Sequence, residues 1–306
     1  MDISALIQKM ALLFFVMLAG FVAAKRGVLN RDTNQAFSSL IVNVTNPLQI
    51  LASVMTGERL LSNLQVLELT AINAVCYVLL AVLGLLLVKI LRVPEKEQVA
   101  FRLLLLLTNT GFLGYPLAEA LLGPDAKFCI TIFVLCFNVV CWTYGSYLLV
   151  GKEKFRFSGK IFLQPCVFCA ILAYIIYLTG IQFPPIVGQA LSYIGDITGQ
   201  LAMVVIGVSL AQLSWKTVFG NWRVYVLCVV KMILMPLLFW AALRGLLGDS
   251  LMLSSGTLVL CMPVATSATI LCYRHGQDDT VASSGVFLST LLSMVTLPLM
   301  MWLLFS

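Results

Sequence analysis

Two stretches of this chain, their prolines 147 residues apart, combine residue types that a plain apolar segment does not hold. The first is Thr108-Asn109-Thr110-Gly111-Phe112-Leu113-Gly114-Tyr115-Pro116, which follows an unbroken run of leucines. The second is Cys261-Met262-Pro263-Val264-Ala265-Thr266-Ser267-Ala268-Thr269. Two glycines and a proline so close together should break a helix, because glycine favours other conformations and proline cannot donate to the helical ladder. In a bilayer, backbone groups freed by such breaks must face protein or a water-filled cavity. Two broken helices that cross would aim half-helix N-termini at one place. Each carries about half a positive charge, which makes the crossing an anion site without an arginine. Taken singly, each proline is an ordinary kink; the matching positions of the two favour a crossing.

Other polar residues lie in apolar surroundings. Asn43-Val44-Thr45-Asn46-Pro47-Leu48-Gln49 places three amides in one short stretch. Asn46 and Gln49 share a helix face; they either line a cavity or bond neighbouring helices. Lys231 stands inside Val230-Lys231-Met232-Ile233-Leu234-Met235-Pro236. A lysine at membrane depth costs about 2.5–3.5 kcal/mol, so it either snorkels or has a partner. Its candidate partners are Glu119, Asn138 and Asn73. Glu119, one turn beyond Pro116, either favours a half-helix N-terminus or turns inward as a proton carrier.

The elements that carry these residues follow from composition. Lys plus Arg number 19 and Asp plus Glu 13, only 10% of 306 residues, while 61% are hydrophobic. Ordinary soluble domains carry roughly 25% charge. The mean hydropathy is +1.02, which excludes both a soluble fold and a disordered chain. A spanning helix needs about 20 apolar residues. Apolar runs place ten spans near 3–24, 35–56, 65–91, 99–122, 127–150, 160–179, 186–213, 222–246, 250–273 and 279–304. The fold expected is therefore all-α and integral to the membrane.

Orientation follows the basic residues. One set of loops holds Lys25, Arg26, Arg31, Lys89, Arg92, Lys96, Arg102, Lys152, Lys154, Arg156, Lys160, Lys216, Arg223 and Arg274; the other holds only Arg59, Lys127 and Arg244. The rich set faces the cytoplasm, which puts both termini outside an inner (plasma) membrane. The net charge of +6 is thus loop charge and no sign of nucleic acid. Division at a short cytoplasmic linker, 151–160, leaves five spans in 1–150 and five in 161–306. An odd number per half means an inverted repeat, with spans four and nine as the broken pair, an arrangement common in secondary transporters.

Catalysis and metal binding have no support. There is no GxSxG, HExxH or phosphate loop, the one acidic pair (Asp278-Asp279) reads as a solvated turn, and His275 is the lone histidine. Cys166 and Cys169 lie in an apolar run without a nearby histidine, as small packing residues. No cofactor is expected.

The motif Asn109 to Pro116 resembles that of the auxin efflux carrier family, as do Lys231 to Pro236, Pro263-Val264-Ala265 and Asn46-Pro47. The resemblance runs the length of the chain. It implies an NhaA-like pair of five-helix inverted repeats, with spans 1, 2, 6 and 7 as scaffold and homodimer face. Spans 3–5 and 8–10 would form a moving transport domain in an elevator mechanism. It further implies that Asn109, Thr110, Gly111, Gly114, Tyr115 and Pro116, with Pro263, Val264, Ala265 and Thr266, meet a small organic anion. Lys231, Glu119, Asn138 and Asn73 would form a supporting polar site. Val264 stands where many members have a second proline, which should soften the second break. The short linker departs from the long regulatory loop of plant carriers. The function expected is secondary transport of auxin-like monocarboxylates or malate- or malonate-type dicarboxylates; a cell negative inside favours export, and uptake would need coupling to H+ or Na+. Two other readings are a cation/proton antiporter on the same fold and a membrane sensor without turnover.

Overall fold

The structure, a computed structural model, describes residues 3–56, 61–123, 126–151, 159–212, 219–248, 250–274 and 280–305. Most of the linker expected at 151–160 lies outside the described residues, as do His275, Asp278 and Asp279. The described residues form helices joined by short turns. They are α1 (Ile3–Lys25), α2 (Arg31–Met55), α3 (Asn63–Ile90), α4 (Glu95–Leu106), α5 (Tyr115–Leu122) and α6 (Ala126–Val150). Then come α7 (Pro165–Thr179), α8 (Pro185–Ala211), α9 (Trp222–Leu247), α10 (Leu251–Cys261), α11 (Ser267–Arg274) and α12 (Thr280–Phe305). Six of them (α2, α3, α6, α8, α9 and α12) are long and apolar enough to cross a membrane, and α1, α7 and α10 carry shorter apolar stretches. The stretches expected as spans four and nine each occur in two pieces, α4 with α5 and α10 with α11.

Local chemistry sets several ends. Asn30 accepts a hydrogen bond from the Thr33 amide at 2.9 Å and starts α2, as an N-cap should. Pro165 and Pro185 open α7 and α8, where the missing N–H costs nothing. Gly180 closes α7 at φ 70°, a left-handed position that suits glycine.

Four helical stretches widen into five-residue π turns: Ile41–Thr45, Thr110–Gly114, Cys141–Gly145 and Val230–Leu234. Three of the four end two residues before a proline, namely Pro47, Pro116 and Pro236. The proline ring clashes with the carbonyl one turn back and offers it no donor. Opening that turn by one residue relieves the clash, and such bulges gather at functional sites.

Contacts divide the chain into two compact units. The first comprises Met1–Thr70, Gly111–Leu135 and Gly159–Gln212. Here α1 packs so closely on α8 that a Cβ on Gly207 would lie 2.0 Å from the Met17 carbonyl oxygen. Small residues allow such backbone approach where lipid supplies no hydrophobic drive. The Thr198 hydroxyl donates to Thr45 at 2.9 Å and ties α8 to the widened turn of α2. Ile41, Ala202 and Val205 pack beneath it.

The second unit comprises Ala71–Thr110, Cys136–Ser158 and Leu213–Ser306. Arg223 Nε donates to the Leu91 carbonyl at 3.0 Å, and Asn221 donates to Glu97 at 3.1 Å, joining the start of α9 to the α3–α4 turn. Gly285 of α12 sits against Leu104 of α4, where a Cβ would come within 2.5 Å of a leucine methyl.

Candidate functional site

The two interruptions meet. Helix α4 stops at Leu106, and Leu107 is extended, with φ −94° and ψ 107°. Helix α10 stops at Cys261, and Met262 takes φ −69° and ψ 150° because a residue before proline is pushed out of the helical region. The extended pieces run antiparallel, with Thr108 opposite Val264. The Asn109 amide donates to the Pro263 carbonyl at 2.9 Å, and the Ala265 amide donates to the Leu107 carbonyl at 3.0 Å. Pro263 has no N–H to leave bare, so at this spot it serves as acceptor alone. Val264, expected to soften the break, does not: α11 resumes only at Ser267. Its amide, which a proline would lack, donates to Ser289 Oγ of α12 at 3.0 Å.

Lys231 is 1% exposed, on the widened turn of α9. Its ammonium donates to the carbonyls of Leu105 at 2.8 Å and Leu107 at 3.4 Å. Those oxygens lie at the C-terminal end of α4, where carbonyls lose their helical partners and the helix dipole is negative. The lysine thus caps a broken helix end through backbone oxygens. Asn73 and Asn138 are buried in the same unit. Glu119 is 45% exposed and ion-paired with Lys127 at 2.9 Å.

Around the crossing, two buried donors have no partner: Asn109 Nδ2 and Thr266 Oγ1. The Thr108 and Thr110 hydroxyls satisfy one another at 3.1 Å. In the same unit the Ser255 hydroxyl is also buried and bare, and the buried Tyr77 hydroxyl has only Thr108 beside it. Buried polar atoms are nearly always bonded, so each exception asks for a ligand or water. Carboxylate oxygens only accept, and these groups donate. Residue types alone did not single out Ser289, Ser255 or Tyr77. Tyr77 had a readable signal, since it follows Asn73 by one helical turn.

In the first unit, Asn46 and Gln49 are buried and each leaves its side-chain oxygen unpaired. Asn46 Nδ2 lies 3.6 Å from Cys166 Sγ, whose thiol donates to the Val42 carbonyl at 3.2 Å. Gly111 leaves little room beside Asn46: a Cβ there would be 3.3 Å from Nδ2. Gly114 leads into α5, and Pro116 lies against Gly199. The Tyr115 hydroxyl is engaged by Thr131 at 3.0 Å, so this residue holds structure. Among the described residues no three His, Cys, Asp or Glu side chains gather as metal ligands.

Comparison with known proteins places the chain among membrane transporters. The family described as membrane transport protein matches residues 5–157 and 154–301. An uncharacterized transporter of Methanocaldococcus jannaschii is 22% identical over 308 residues, covering 96% of this chain and 97% of that protein. The uncharacterized transporter YfdV of Escherichia coli is 23% identical over 305 residues, with 93% of each covered. A Rhizobium meliloti protein provisionally named as a malonate transporter is 22% identical over 209 residues, covering 65% of this chain and 64% of that protein.

Proposed function

We propose, on the premise that this chain belongs to the membrane transport protein family, the family of the auxin efflux carriers, that it carries small organic anions by elevator-type alternating access. Membership makes it a multi-pass membrane transporter and not an enzyme. One observation carries the choice of an anion: the paired ends at Thr108 and Val264 leave Asn109 Nδ2 and Thr266 Oγ1 buried without partners. The field there favours the same charge. Lys231 neutralises the carbonyl end of α4, while α11 begins at Ser267 with its positive end beside Thr266.

In this reading Asn109, Thr266 and the backbone around Pro263 hold a carboxylate. Residues 1–150 and 161–306 act as inverted repeats. Spans 1, 2, 6 and 7 form the scaffold and homodimer face, and spans 3–5 and 8–10 form the moving part, so the Ser53–Thr131 bond parts during the transport cycle. Both termini lie outside, and a potential negative inside drives an anion outward at about 2.3 kcal/mol per charge per 100 mV. Inward transport needs H+ or Na+. The Glu119–Lys127 pair is the titratable group to test for coupling, because Lys231 is occupied by carbonyls.

The reading is tested with purified protein in liposomes, using malonate, malate and an auxin-like monocarboxylate under imposed voltage, pH and sodium gradients. Movement of at least one carboxylate is expected, accelerated by a voltage that is negative on the side holding the anion. Failure to move any of them under every gradient overturns it.

A further inference from the structure

The crossing in the second unit does not account for Arg102. This residue lies in α4, one turn before Leu106. Its Nη2 donates to the Tyr144 hydroxyl at 2.6 Å, and the guanidinium carbon is 5.8 Å from that ring's centroid. Tyr144 belongs to the widened turn Cys141–Gly145 of α6. The adjoining Gly145 fits closely, since a Cβ there would lie 3.3 Å from Leu271 and 3.5 Å from Leu103. That contact holds α6 in register with α4 beside the pair. The arginine stem runs past Gly84, whose added Cβ would be 3.6 Å from Arg102 Cγ.

The guanidinium lacks a counter-ion. A guanidinium is a planar cation with five N–H donors, and here Nε is buried without a partner. Its polar contact among the described residues is with the Tyr144 hydroxyl, not with a carboxylate. Snorkelling explains an arginine whose head reaches water, but not an Nε sealed from both water and protein. A bare buried donor costs stability, and an anionic oxygen is the partner that satisfies an arginine most strongly.

We propose that Arg102, tethered by Tyr144, is a second oxyanion site, which holds a substrate carboxylate before it reaches Asn109. Along the chain the two lie at most about 16 Å apart, four helical residues and three extended ones, with Arg102 on the helix and Asn109 past its end. The proposal rests on the transport reading for its ligand. A phosphate of an anionic lipid headgroup presents the same chemistry, and vesicle composition distinguishes the two sources.

The experiment uses the full chain in liposomes of phosphatidylcholine alone or with phosphatidylglycerol, with malonate as probe. Arg102→Gln should raise the half-saturating malonate concentration about tenfold, with the maximal rate within about twofold, because the charge guides and holds the anion without meeting it at the crossing. Its dependence on ionic strength should flatten. Arg102→Lys keeps the charge but loses the fork, and Tyr144→Phe keeps the charge but loses the tether; each should shift half-saturation about threefold. The same shifts in both vesicle types support a substrate carboxylate. Shifts confined to phosphatidylglycerol vesicles overturn that assignment in favour of lipid phosphate. Half-saturation within twofold of wild type for Arg102→Gln in both vesicles overturns the site. If that variant does not fold, wild-type behaviour of both Arg102→Lys and Tyr144→Phe does the same. If the wild type moves no carboxylate, the transport reading fails, and the site is then decided in detergent. There malonate or inorganic phosphate should raise the melting temperature of Asn109→Ala but not of Asn109→Ala/Arg102→Gln; equal rises overturn the site.

Discussion

Two buried polar clusters in this molecule use similar groups in opposite ways. In the first unit, the Tyr115 hydroxyl meets Thr131 at 3.0 Å, Thr131 meets Ser53 at 2.6 Å, and Ser53 donates to the Ile50 carbonyl at 2.6 Å. That chain is closed, and it ties α5, α6 and α2 together. In the second unit, Asn109 Nδ2 and Thr266 Oγ1 are as deeply buried and end on nothing. Networks whose members are all satisfied specify and rigidify a core, whereas unsatisfied members weigh against folding. A protein that keeps the second kind has a use for it. The closed cluster should govern stability and the open one transport.

The largest effect expected is therefore on transport, with almost none on folding. Asn109→Ala should lower the maximal rate of carboxylate transport about 100-fold, as loss of a group built to meet a charged ligand does. Thr266→Val swaps a bare hydroxyl for a methyl of similar shape. It should cut transport about tenfold and leave the melting temperature unchanged or higher, because an orphan donor disappears. A clear fall in melting temperature with intact transport would erase the contrast between the clusters.

Lys231 comes next, and it separates capping from carrying. Lys231→Met fits the volume but leaves the carbonyls of Leu105 and Leu107 with less than they need. Stability should fall by about 3 kcal/mol, the usual cost of stripping a buried charged partner, read as denaturant- or heat-induced unfolding in detergent. Transport that survives in the remaining folded protein would agree with a cap. Normal stability with abolished transport would instead make Lys231 part of the moving charge.

How far these clusters could be read in advance differs for a physical reason. The breaks at Asn109–Pro116 and Met262–Thr266 were legible because glycine and proline act on the backbone wherever they stand. That the two pieces touch was legible only through their matching positions. The partner of Lys231 was not, since a search among Glu119, Asn138 and Asn73 assumes a side chain, and carbonyl oxygens carry no residue type. The π turns before Pro47, Pro116 and Pro236 follow from proline sterics and were legible in principle, but the one at Cys141–Gly145 has no proline to announce it. Tyr115 read as a ligand residue because it adjoins Pro116; its hydroxyl faces Thr131, a residue with no marker inside a run of Ile, Phe and Val.

Thr131 gives the smallest effect and the sharpest test of the closed cluster. Its hydroxyl accepts from Tyr115 and donates to Ser53, with the Lys127 carbonyl at 3.2 Å as the alternative acceptor of its single proton. Thr131→Val leaves two buried hydroxyls short of one partner, which should cost about 1–2 kcal/mol. Ser53 retains the Ile50 carbonyl, so Ser53→Ala alone should cost about 1 kcal/mol. The double variant should then lose less than the sum, because both substitutions remove the same bond. A coupling of about 0.5–1 kcal/mol in that cycle is expected between groups in contact. Strict additivity would mean that the 2.6 Å approach of Ser53 and Thr131 contributes nothing. Half-saturation of transport should stay at the wild-type value throughout the cycle, since neither hydroxyl meets the carboxylate. If half-saturation shifts with stability at temperatures where the protein remains folded, the two clusters are not the separate devices that their hydrogen bonding describes.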